Sequence, residues 1–147
     1  MTTAQLVELT HAGPRRRLVF HGLWVGGVLL MAVFQLSWGL GLALWVDPAS
    51  TASFDLLEHM GPFGLQGGVV TLLVVPVVAG AWRGGLAGVG ACVLQVLVWS
   101  YVLIAMMGAN PRTTAPPIYG TILLTCAGLL AYAVYEVIAA AIAHRGS

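Results

Sequence analysis

His21, Gln35, Gln95, Tyr132 and Glu136 each place a titratable or hydrogen-bonding group inside a long apolar run. Glu136 is the sharpest case. It stands in YAVYEVIAAA, Tyr132 to Ala141, where no other residue is charged. A carboxyl group surrounded by hydrocarbon must be paired, held protonated or put to use, because an isolated buried charge is too costly. Arg17, Arg83 and His21 are the expected partners for pairing. A protonated Glu136 would hydrogen-bond Tyr132 or a glutamine. A working Glu136 would load and release protons or cations. Gln35 and Gln95 suit interhelical hydrogen bonds, or a polar ligand site.

A second cluster, Asp55, Glu58 and His59, lies in a polar loop. Asp55 and His59 are four residues apart and would share one face of a short helix. Their spacing matches no metal motif, so a solvated helix surface accounts for them and no metal is expected. Cys92 and Cys126 belong to no CxxC pair or Cys/His group. Both read as free, buried thiols. No nucleophile elbow, phosphate-binding loop or zinc-binding helix motif is present, and no catalytic residue stands out. A haem held between two histidines needs them at one depth, and His21 and His59 lie at opposite ends. No cofactor is expected.

The elements that must position these groups follow from composition. Of 147 residues, 59% are hydrophobic and only 7% charged, against about 25% charged in a soluble domain. Such a chain could not cover a water-facing surface, and the lipid bilayer is its natural solvent. There is no lysine and the net charge is +1, which excludes the basic surface that nucleic acid requires. About 20 apolar residues span a bilayer. Four stretches meet that length: Leu18–Val46, Phe63–Trp82, Gly85–Met107 and Ile118–Ile142. The first exceeds both a span's need and the ~7–15 apolar residues of a cleaved signal peptide, so it reads as a tilted or protruding span. Pro76 predicts a kink in the second. A short helix over residues 3–11 precedes the first.

Orientation follows from arginine. Arg15, Arg16, Arg17, Arg83 and Arg145 fall on one side and only Arg112 on the other, five against one of the six basic residues. The positive-inside rule makes that side cytoplasmic, with both termini inside. The expected fold is an all-α, polytopic integral membrane four-helix bundle forming one domain. The expected location is a cell membrane, a bacterial-type plasma (inner) membrane being favoured.

Membrane helices associate through small and polar residues, because lipid is as apolar as leucine. Spacings of three and four predict the packing faces. They are His21, Val25, Val28, Ala32, Gln35 and Gly39 on the first span. On the second they are Gly64, Gly68, Thr71 and Val75, containing a GxxxG. The third gives Gly84, Gly88, Ala91, Gln95, Val98 and Val102, with another. The fourth gives Thr121, Thr125, Gly128, Tyr132 and Glu136. At about 1.5 Å per residue, Gln35 and Gln95 fall near the midplane and should bond each other; Glu136 and His21 lie about 9 and 16 Å toward the cytoplasmic side. FQLSWG and LQVLVWS, with PFG and PIYG, hint at two repeated helical hairpins.

Abundant small-residue surface, short loops and no soluble domain point to a non-enzymatic subunit or accessory protein, packed against a membrane partner or a second copy of itself. Two other readings use the polar residues. One is a small proton- or cation-coupled transporter built on Glu136 and the glutamine layer. The other is a haem- or quinone-binding redox protein.

Overall fold

The computed structural model of the chain describes residues 14–44, 61–109 and 115–145. The expected helix over residues 3–11 and the Asp55, Glu58 and His59 loop lie outside the described residues. Five helices account for the rest: α1 (Pro14–Leu44), α2 (Phe63–Leu72), α3 (Val74–Arg83), α4 (Gly85–Ala109) and α5 (Ala115–Arg145). They supply four stretches long and apolar enough to cross a membrane, Leu18–Leu44, Phe63–Arg83, Gly85–Met107 and Pro117–Ala143. This all-helical pattern suggests a multi-pass membrane protein.

α2 and α3 form a single span interrupted at Leu73. The cause sits three residues on. Pro76 has no N–H for the carbonyl of Leu72, and its ring crowds that carbonyl. The Leu73 amide still bonds Val69 O at 3.0 Å, so the chain bends without unwinding. α5 begins at Ala115, earlier than the expected Ile118, and takes Pro116 and Pro117 into its first turn. Proline is tolerated there because first-turn amides have no intrahelical acceptor to lose.

α1 packs along α2 and α3, α4 packs between α3 and α5, and α1 also touches α5. Neighbouring spans run antiparallel. At one end, Leu42 of α1, Phe63 of α2, Met106 of α4 and Tyr119 of α5 join one apolar cluster. At the other end, the start of α1 meets the α3–α4 turn and the last turns of α5. We call these the Phe63 end and the Arg83 end. The α3–α4 connection is one residue, Gly84, with φ 65° and ψ −162°. That region is open essentially only to glycine.

The bundle is turned inside out relative to a soluble protein. Gln35 and Gln95 are fully buried, while Trp82, Leu86 and Leu124 are each more than 70% exposed. Small side chains fill the contacts. A Cβ on Gly67 would lie 2.5 Å from Gly39 O, and one on Gly80 would lie 2.5 Å from Ala87 O. These glycines let the α1–α2 and α3–α4 backbones approach closely.

Two expected faces are therefore shifted. On α2 the contact is at Gly67. Gly64 is exposed, and nothing lies within 4 Å of a Cβ built on Gly64 or Gly68. On α5 the buried positions are Cys126 and Ala133, flanked by Ile122 and Leu129. Thr121, Thr125 and Gly128 point outward. The reason is local. Thr121 and Thr125 donate to Pro117 O and Thr121 O within their own helix, both at 2.9 Å. With the hydroxyls satisfied there, nothing drives that face inward.

Candidate functional site

The site grows from one turn of α1. His21 and Trp24 are three residues apart and stack, with ring centroids 5.7 Å apart and planes at 28°. Trp24 is buried, and its indole Nε1 donates to the Leu129 carbonyl of α5 at 3.0 Å. Its outer ring edge lies over Gly88 of α4, where a Cβ would come 2.7 Å from Trp24 Cη2. Trp24 thus joins three spans. Gly88 gives room chiefly to a side chain, while the Gly80 carbonyl of α3 lies at ordinary contact distance, 3.6 Å from the same Cβ. Gly84, its expected GxxxG partner, forms the turn instead.

Beside this wedge, His21, Trp24, Gly84, Gly85, Tyr132, Ala133 and Glu136 line a partly open cavity of about 30 Å³. His21 is exposed at its mouth, while Tyr132 and Glu136 are half-buried. Three of the residues singled out by type and spacing therefore line one cavity, although His21 is more than 100 positions from Tyr132 and Glu136 in the chain. Arg83, a proposed partner of Glu136, is exposed, and no ion pair joins Glu136 to Arg83 or His21 among the described residues. The side chain of Arg17 lies outside them.

The glutamines behave otherwise than their depths suggested. They do not bond each other. Gln35 Nε2 donates to Val70 O at 3.0 Å, and Gln95 Nε2 donates to Val28 O at 3.1 Å. Gln95 therefore sits level with Val28, two helical turns or about 10 Å from Gln35. The midpoint of an overlong helix is not the middle of its bundle, and α1 is offset along the others. Both bonds tie α1 to a neighbour: Gln35 to the kinked span just before its break, Gln95 to α4. A repeat of two equivalent hairpins would send Gln95 to α5 instead. Gln35 Oε1, Gln95 Oε1, Thr71 Oγ1 and Trp99 Nε1 are buried without a hydrogen-bond partner among the described residues.

The Phe63 end carries a polar contact that spacing did not single out. Tyr101 Oη donates to Gln66 Oε1 at 2.6 Å, and Gln66 Nε2 donates to Gly61 O at 2.7 Å. Trp99 stacks on Tyr119 nearby, at 6.1 Å. Gln66 and Trp24 were both legible as polar-tipped residues inside spans; what was missing was knowledge of which helix each would face. Cys92 and Cys126 are free and buried. Among the described residues no three His, Cys, Asp or Glu side chains converge as a metal site.

No protein-family model, curated protein or solved structure matches this chain.

Proposed function

We propose that this chain is a four-span integral membrane protein that serves as a non-enzymatic subunit or assembly partner, with the outer face of α5 as its docking surface. The observation behind this reading is how little of α5 the chain itself covers. Only 11% of its apolar window is buried, against 44% for α4. The uncovered face mixes small residues, Thr121, Thr125, Ala127, Gly128 and Ala131, with large apolar ones, Leu124 and Ile138, and a Cβ on Gly120 or Gly128 would meet nothing within 4 Å. Faces of this kind let a second membrane helix approach closely. The partner is another membrane protein or a second copy. The arginine distribution supports an orientation with the Arg83 end and both termini in the cytoplasm.

Gly120→Leu with Gly128→Leu tests the docking surface. Native mass spectrometry of the gently solubilised protein should show the partner or second copy lost. Thermal stability of the single chain should not fall, because a Cβ at either glycine meets nothing within 4 Å and leucine is the better helix former. An assembly that survives both substitutions refutes the docking surface.

A further inference from the structure

The cavity at the Arg83 end has a chemistry that packing does not require. α1 brings an imidazole to it, and α5 brings a phenol and a carboxyl group. Two glycines form the facing wall; around Gly85 nothing would contact even a Cβ. At about 30 Å³ the cavity holds one or two waters, since a single water needs about 10–15 Å³ of such space. A quinone or haem ring does not fit.

The donor set narrows the ligand further. A hard metal cation takes about six or more oxygen ligands. Here only Glu136 and Tyr132 offer side-chain oxygen. Trp24 offers only its ring, because its N–H is committed to Leu129 O. A proton, by contrast, needs only a carboxylate, an imidazole and a bridging water.

We infer that the His21–Tyr132–Glu136 cavity is a proton-binding site. Protonated His21, exposed at the mouth, donates through its ring N–H to a water in the cavity. That water passes one of its own protons to a Glu136 carboxylate oxygen. Imidazolium and carboxylate become imidazole and carboxylic acid, the water is regenerated, and the total charge of the pair is unchanged. His21 then takes a fresh proton from solvent, so the net event is uptake of one proton. Tyr132, one turn before Glu136, is a positioning residue for the water. The Trp24 stack holds the imidazole at the mouth, and the Leu129 bond holds Trp24.

Among the residues whose side chains are described, the other titratable groups near the cavity are few, and on α5 the neighbour is Tyr135, which is exposed. α3 ends in Arg83, which is exposed. The first turns of α4 contribute only Cys92, buried in the apolar cluster around Trp24. Acids that survive inside membrane helices commonly carry protons in this way. The site does not depend on the α5 docking surface, because its lining residues lie within one chain.

The test is infrared difference spectroscopy of the full-length protein in phosphatidylcholine vesicles, between alkaline and acidic buffer. The expected result is a protonated-carboxyl band that disappears in Glu136→Gln, with proton uptake reduced by one per chain. His21→Phe keeps an aromatic ring on Trp24 but removes the relay, and should shift that band and slow its appearance. Tyr132→Phe should shift it as well. Should Glu136→Gln fail to fold, Glu136→Asp serves instead. It withdraws the carboxyl by one methylene, and the band must move. A band unaffected by any change at position 136 overturns the site. So does a Glu136 band indifferent to both His21→Phe and Tyr132→Phe, because the carboxyl would then be hydrated by solvent alone.

Discussion

Gly88→Ala adds one methyl group at the point where three spans meet, and its cost can be worked from the contacts. The new Cβ would lie 2.7 Å from Trp24 Cη2 and 3.3 Å from Cζ2, inside the 3.4 Å where ordinary contact begins. The indole cannot simply retreat. Its Nε1 is tied to Leu129 O at 3.0 Å, and Trp24 is only 5% exposed. Overpacking of this kind costs about 1–3 kcal/mol. Moving the ring enough to relieve it weakens a buried hydrogen bond worth about 0.5–1.5 kcal/mol. Replacing glycine with alanine inside a helix returns up to about 1 kcal/mol. The net expectation is a loss of about 1–3 kcal/mol. Gly90→Ala, on the same helix with nothing within 4 Å, provides the control and should be neutral or slightly stabilising. Unfolding by SDS titration in mixed micelles, followed by far-ultraviolet circular dichroism, measures both. A double-mutant cycle with Trp24→Phe separates the clash from general damage: the smaller ring should accept the methyl, giving a coupling of about 1–2 kcal/mol. Equal effects at Gly88 and Gly90, or additivity with Trp24→Phe, would refute the wedge.

Gly67→Ala should be more damaging than Gly88→Ala in the same titration, because its Cβ would meet backbone atoms of Gly39 and Ala43 that cannot rotate away; Gly64→Ala should be tolerated, and the reverse order would contradict the α1–α2 contact. Gly84→Ala meets only His21 Cε1 at 3.8 Å, so its cost should be that of backbone conformation, about 1–3 kcal/mol; D-alanine introduced there by semisynthesis should restore stability, and failure to do so would locate the cost elsewhere. Cysteines introduced at Ser50 and Thr113 should react with an impermeant reagent on intact cells, and one at Ser147 only after permeabilisation; the opposite pattern would invert the orientation drawn from arginine.

Much of the architecture was already determined by the amino-acid sequence. Run length and scarcity of charge specify four apolar helices, since a backbone within hydrocarbon has to bond itself and the helix does so within a single segment. Pro76 localises the bend, because a missing amide and a crowded carbonyl act on neighbours only a turn away. The polar residues worth examining were legible by type alone: Glu136 and His21 by charge, Gln35 and Gln95 by their place in apolar runs.

Only the tertiary structure decided what each polar residue meets. Rotation of a helix about its own axis leaves its length and composition untouched, yet one residue of slip turns a face by about 100°. That is why Gly67 rather than Gly64 or Gly68 carries the α1–α2 contact, and why Cys126 and Ala133 rather than Thr121 and Thr125 face inward on α5. Axial offset was equally invisible. It places Gln95 beside Val28 instead of Gln35. The same offset and the antiparallel packing set His21 beside Glu136. Trp24 gave the least warning, because its role as a wedge depends on a hole at Gly88 and an acceptor at Leu129, each on a different helix. Contacts of that kind come from the fit of three surfaces, and no periodicity along one helix encodes them.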